Sequence, residues 1–227
     1  MLFRSGFANS VYYAVVGTAL NIVLTVMAAY PLSRKDFYGR NVFMVYFTIT
    51  MLFGGGLVPT YLLVKSLGLI NTRAAMIVPG AMAVWNMIIA RTYFQNNVPS
   101  ELYESAELDG AGDIRILVSI VLPLCRPIVA VLGLFYAVGH WNSYFDALLY
   151  LKSARLFNLQ VVLRDALSSI GSLNSMVDVT TDTLRVAALI EAMKYAIIVL
   201  AIVPVLLAYP FVQRYFIKGI MIGSLKG

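Results

Sequence analysis

Residues Phe7 to Pro31 pass without one charged side chain. No other feature restricts the fold as much. About 20 apolar residues cross a bilayer as a helix. Inside lipid only a helix or a closed barrel satisfies its own backbone. Four further stretches follow: Val42 to Val64, Ala74 to Ala90, Ile128 to Leu151 and Ala192 to Phe216. A barrel would show short segments of alternating polarity, and none is present. Hydrophobic residues make up 60% of the chain and charged ones 12%, against roughly 45–50% and 25% in soluble domains. The expected fold class is an all-α polytopic membrane helix bundle with five spans. The first stretch is too long for the 7–15-residue apolar core of a signal peptide.

The polar inventory removes several functions. There is one cysteine, Cys125, and one histidine, His140. No disulfide framework and no zinc site of His and Cys ligands can be assembled from them. A Ser-His-Asp triad would have to use His140, and nothing nearby resembles a nucleophile elbow. No Walker A run occurs. The net charge of +6 suits topology and lipid head groups rather than a nucleic-acid partner. No internal repeat is detectable, which disfavours repeat-built secondary transporters.

Charge counting leaves the topology nearly balanced. The densest short basic cluster, Arg34-Lys35 with Arg40, places the 33–40 loop in the cytoplasm. Five spans then put the N-terminus outside, and the expectation is that an upstream span is missing from this sequence.

Against this background "ELYESAELDGAG" (101–112) is anomalous. Glu101, Glu104, Glu107, Asp109 and the following Asp113 hold five of the chain's eleven carboxylates. Each would cost about 2.5–3.5 kcal/mol at mid-bilayer, so the segment lies in water or against another protein. Pro99 suits a first helical position. Glu101 and Glu104 fall in the first turns, where the helix dipole favours negative charge. Gly110 follows as a left-handed cap. A second helix is predicted from Asp113 through Ile116, Leu117 and Ile120 towards Pro123 and Pro127.

"ESAELDGAGDIRILVSIVLPLCRP" (104–127) resembles the EAA loop of ABC importer permeases. The family pattern is E-A-A, three residues, G, nine residues, I-x-L-P. Glu104, Ser105, Ala106, Gly110, Ile120, Leu122 and Pro123 stand at that spacing, and Asp109 and Ala111 fit the "DGA" of sugar importers. Ser105, Leu117 and Ser119 depart from the pattern where alanine, an aromatic and a basic residue are common. "NSVYYAVVGTALNIVLTVMAAYPLSRKDFYGRN", "FGGGLVPTYLLVKSLGLINT", "VGHWNSYFDALLYL" and "YPFVQRYFIKGIMIGSLKG" resemble the oligosaccharide branch of the carbohydrate permeases (MalG-like, of LplC and YtcP type).

The resemblance implies an ABC importer type I permease fold, normally of six spans. It implies a single transmembrane domain over 1–227, with a cytoplasmic coupling loop at about 92–126 and an extracytoplasmic loop at about 152–191. The implied function is the permease subunit of an ATP-driven carbohydrate importer in a prokaryotic cell membrane, not an enzyme. ATP and Mg would be held by partner ATPase subunits, present in two copies. A second permease, expected to be a different chain, and an extracytoplasmic sugar-binding protein complete the assembly. The loop residues, from Glu101 to Pro123 as above, would dock on the ATPase.

The substrate path is less defined. Ionisable groups within spans are functional candidates. His140, Trp141, Asn142, Tyr144 and Asp146 combine flat apolar faces with hydrogen-bonding groups, which suits sugars. The same cluster also reads as an interfacial aromatic belt. Gly54-Gly55-Gly56 with Pro59 fits either a broken helix lining a pathway or close packing between spans. The alternatives to an ABC permease are an ion-driven transporter or channel, which would call for more paired mid-membrane charges, and an acidic stretch that is only a solvated turn.

Overall fold

The computed structural model describes residues 2–176 and, beyond them, 191–193, 195–199, 201–204, 206, 207, 210 and 213. Regular structure among the described residues is helical throughout. The first apolar stretch forms α1 (Leu2–Ser33), about 48 Å long at 1.5 Å per residue. One face of α1 is polar but buried: Ser10, Asn21 and Thr25 are at most 1% exposed. The opposite face leaves Val15, Val23 and Met27 exposed, as an apolar solvent or a neighbouring chain requires.

The second stretch is not one rod. It breaks into α2 (Arg40–Leu52) and α3 (Leu57–Ser66), set at 110° to each other. The glycine run makes the break. Gly56 has φ 86°, a left-handed value that costs other residues roughly 1–2 kcal/mol. The helix is broken at these glycines, and none of them lines the internal cavity. The third stretch also departs from expectation. A 3₁₀ turn (Arg73–Met76) leads through an irregular segment with Pro79 and Gly80 into α4 (Val84–Asn97). Ala74 to Ala90 is therefore not a continuous span, because Pro79 cannot donate to a helix ladder.

After α4 come α5 (Ser100–Leu108) and α6 (Asp113–Ile116). A π-helical turn (Leu117–Val121) and α7 (Leu122–Leu124) then turn an 84° corner into α8 (Arg126–Trp141). Pro123 and Pro127 each remove a backbone donor, and the widened turn and the corner fall where those bonds are lost. α9 (Tyr144–Tyr150) follows a break at Asn142-Ser143, so Ile128 to Leu151 is also interrupted. Among the described residues one helix is long and apolar enough to cross a membrane alone, and the two bent pairs pass the same test when joined.

The 152–191 segment differs from the expected loop. It holds a 3₁₀ turn (Ala154–Leu156) and the 18-residue α10 (Leu159–Met176). Asn158 caps α10, accepting a hydrogen bond from the Val161 amide at 3.1 Å. The segment is tied to the start of α1. Asn9 Nδ2 donates to the carbonyls of Arg155 and Phe157 at 2.8 and 3.0 Å. The Tyr13 hydroxyl donates to Leu156 O at 2.8 Å, and the Leu159 amide to Ser10 Oγ at 2.8 Å. Ten of the 25 residues of the fifth stretch and the whole basic tail lie outside the described residues.

α1 packs against α4 and α8 over the main core. Val26, Ala29, Met87, Ala90, Phe94, Val121, Cys125 and Leu132 are among its buried members. Ala29 and Ala90 are fully covered, and their small side chains let the helices approach closely.

Candidate functional site

Two sites lie at different levels of this bundle. The first is the acidic segment. α5 starts one residue later than expected, with Pro99 as its cap. The helix ends as predicted on Gly110, at φ 74°. The Gly110 amide donates to Glu107 O at 3.0 Å and the Ala111 amide to Ala106 O at 2.9 Å. These two bonds form a Schellman motif, which satisfies the last carbonyls of the helix. The second helix is shorter than expected, ending at Ile116 before the π turn.

Within this hairpin the residues divide sharply. Ala106 is 7% exposed and joins the main core, with Ala111, Ile120 and Leu122 packed against the same core. Glu101, Glu104, Ser105, Asp109, Gly110 and Pro123 are exposed. Ser105 Oγ is occupied, donating to Glu101 O at 2.8 Å. At the turn two apolar side chains protrude: Leu108 at 89% and Ile114 at 80% exposure. The sequence reading missed this pair, although apolar residues flanking "DGAGD" were visible in it.

Glu107, half-exposed, turns towards Arg34 at the end of α1, and the two form an ion pair. The Arg34 guanidinium also pairs with Asp36, Nη2 to Oδ2 at 2.8 Å, and lies 4.4 Å from the Tyr103 ring centroid. The Asp36 hydrogen bonds push Arg34 above its ordinary pKa, and the Arg34 hydrogen bonds hold Asp36 below the ordinary carboxylate value. Burial pushes Tyr103 up. The 33–40 loop and the acidic hairpin therefore share one face of the bundle. A cleft of about 810 Å³ opens between them, lined by Arg34, Asp36, Arg40, Glu101, Glu104 and Glu107 among others.

The second site is a cavity of about 500 Å³ within the bundle. α1 supplies Asn21, α3 Thr60, α4 Asn86, α8 Tyr136 and His140, and α9 Asp146 and Tyr150. Asn21 Nδ2 donates to Gly80 O at 2.6 Å, which turns Oδ1 towards His140. His140 Nε2 lies 2.9 Å from that oxygen, and a carbonyl oxygen only accepts. Nε2 thus carries the proton. Tyr136 bridges to Thr25, with 2.7 Å between the hydroxyls.

Of the five residues expected along the substrate path, the cavity brings together His140 and Asp146. The other three point elsewhere because the chain breaks at Asn142-Ser143. Trp141 is buried against Leu159 and Leu163, donating from Nε1 to Ala201 O at 3.1 Å. Asn142 is exposed and donates back to Val138 O at 3.0 Å. Tyr144 lies under Arg164, 5.2 Å from ring centroid to guanidinium. Asn21, Thr60 and Asn86 were missed. For Asn21 the signal was available, since Thr18, Asn21 and Thr25 recur at helical spacing in an uncharged apolar run.

An all-α membrane bundle with a projecting acidic hairpin at one face and a polar cavity inside defines a class, the membrane-embedded subunits of transporters. The comparisons with known proteins fix the class further. The chain belongs to the family of binding-protein-dependent transport system inner membrane components, whose model matches residues 21–222. It is 44% identical over 219 residues to the polygalacturonan/rhamnogalacturonan transport system permease protein YtcP of Bacillus subtilis (strain 168), covering 96% of this chain and 75% of that one. Protein LplC of the same organism is also 44% identical, with 96% and 72% covered. Among solved structures, a bacterial ABC transporter involved in import of the acidic polysaccharide alginate matches with a TM-score of 0.83 and 32% identity, covering 95% of this chain and 76% of that one.

The chain is thus a transmembrane permease subunit of a binding-protein-dependent ABC importer. It is a transport component of the cell membrane rather than an enzyme. Membership of the family implies a partner ATPase, a second permease and a binding protein.

Proposed function

We propose that residues at about 92–126 form the coupling loop of a single permease domain spanning 1–227, and that the internal cavity is this chain's share of the sugar path. The observation that carries the first part is the Gly110 hairpin. It presents Glu101, Glu104 and Asp109 in solvent beside the exposed Leu108 and Ile114. An apolar tip ringed by carboxylates suits a groove with a greasy floor and basic walls, as docking surfaces combine a buried apolar anchor with a polar rim. Glu101, Glu104, Ser105, Ala106, Asp109, Gly110, Ala111, Ile120, Leu122 and Pro123 are the loop's functional set. The exposed members meet the ATPase and the packed ones fix the hairpin on the bundle.

The chain needs no cofactor of its own in this reading. ATP and Mg are held by two copies of the partner ATPase, and the second permease is a different chain. The 152–191 segment faces the extracytoplasmic binding protein. The cavity supports an oligosaccharide path because Thr60, Asn86, His140 and Asp146 offer donors and acceptors beside the rings of Tyr136 and Tyr150. Sugars call for that mixture of hydrogen bonds and flat apolar contact.

The test is ATP-driven uptake of labelled oligosaccharides by the reconstituted complex, with wild type beside Gly110→Pro and Glu104→Lys. Loss of uptake and of ATPase association, with membrane insertion kept, supports the coupling loop. Normal transport by both variants would remove it.

A further inference from the structure

α5 is poorly anchored by packing. Ala106 is its one buried residue and Tyr103 packs partly buried against the same core, a short apolar face for a nine-residue helix. Arg34 does more. Its side chain is only 10% exposed, and it holds α5 at two positions one turn apart. It forms the ion pair with Glu107 and the stacked contact with Tyr103. From Nε and Nη2 it also forks onto Asp36 at 2.9 and 2.8 Å. Such planar forks fix geometry as well as adding energy.

The other side of the connection is equally tight. Arg34 directly follows the last turn of α1. Arg91 Nε donates to Leu32 O at 2.9 Å, and Gln95 Nε2 to Ser33 O at 3.3 Å. Arg40 Nη1 reaches the Arg34 carbonyl at 3.4 Å. From Arg34 back to Asn21 is thirteen residues of continuous helix, about 20 Å. Asn21 is the residue that α1 contributes to the cavity.

We propose that Arg34 is the positioning residue that links the hairpin to α1, so that a displacement of α5 is carried to Asn21 and the cavity. The proposal rests on the coupling-loop reading above. A buried arginine adds little net stability over an apolar residue, but it rigidly joins two elements that otherwise barely touch. With Arg34 truncated, α5 can move on its ATPase without moving α1.

The experiment uses the reconstituted complex of permeases, ATPase and binding protein in liposomes. Arg34→Ala, Arg34→Lys and Glu107→Gln are compared with wild type for ATPase co-purification, ATP hydrolysis and sugar uptake. The expected result is retained co-purification and hydrolysis, with sugar imported per ATP falling roughly tenfold for Arg34→Ala, within the usual range of coupling between sites. Arg34→Lys keeps the charge but not the fork and should fall between. A short bis-maleimide joining the Arg34→Cys, Glu107→Cys double variant should restore the ratio.

An unchanged ratio in Arg34→Ala overturns the proposal and leaves the coupling loop standing. Loss of ATPase co-purification also overturns it, since Arg34 would then serve docking alone. If Arg34→Ala fails to insert, Glu107→Gln decides in the same way. A wild-type complex without ATP-driven sugar uptake would bring down the functional reading itself.

Discussion

His140 Nε2 sits 2.9 Å from Asn21 Oδ1, joining the end of α8 to the middle of α1. Asn21 is 1% exposed, and its amide nitrogen is already committed to Gly80. Leucine at position 21 would leave the imidazole and the Gly80 carbonyl without this partner. Each lost partner in a buried site costs about 1–3 kcal/mol. Asn21→Leu should lower the thermal midpoint of the detergent-solubilised protein and reduce sugar uptake. An unchanged midpoint would show that the contact is energetically idle.

Gly17 lies against the His140 ring, one turn of α1 before Asn21. A methyl group there would fall 2.6 Å from His140 Cε1 and 2.7 Å from Cδ2. The ring must then swing away from Asn21. Overpacking of this kind costs about 1–3 kcal/mol. Gly17→Ala should reproduce much of the Asn21→Leu defect, and the double variant should be less than additive. Additive losses would place the two effects in different contacts.

Gly110 presents the reverse case. Nothing lies within 4 Å of a methyl group there, yet its φ is +74°. The cost of Gly110→Ala is therefore backbone strain alone, about 1–2 kcal/mol. Asn tolerates this region better, so Gly110→Asn should keep more ATPase association than Gly110→Ala. Equal loss in both would mean that the ATPase groove itself cannot admit a side chain.

Asp36 supplies a pH dependence with a fixed sign. Its carboxyl is held below the ordinary value by hydrogen bonds from Arg34. A group depressed on folding contributes fully above its unfolded pKa, about 3.9 for aspartate. The contribution fades as pH falls through the depressed value. Thermal midpoints recorded from pH 7 down to pH 3 should fall more steeply for wild type than for Asp36→Asn. Parallel curves would show that the carboxylate is not paired in solution.

The hairpin was legible because its signals are backbone chemistry. Pro99 and Gly110 constrain φ wherever they stand, and the end of α5 follows from them. The broken spans were not legible from apolarity, which reports the surroundings of a segment but not its path. Phe53–Gly56, Pro79-Gly80 and Asn142-Ser143 all carry breaker residues, yet such residues also serve close packing in membranes. α10 had a usable signal in Asn158 before Leu159, Val161 and Leu163, which are all buried. The acidic cluster looked uniform by composition. Glu107 separates from Glu101 and Glu104 only when α1 brings Arg34 beside it, a contact across 73 residues.

Cys125 lies in the 84° corner before α8 and is fully covered. To aqueous thiol reagents the folded chain is close to a blank surface. Probes placed one at a time on the hairpin and on the outer end of α1 would report their own positions against little background, without first disturbing the corner on which α8 turns.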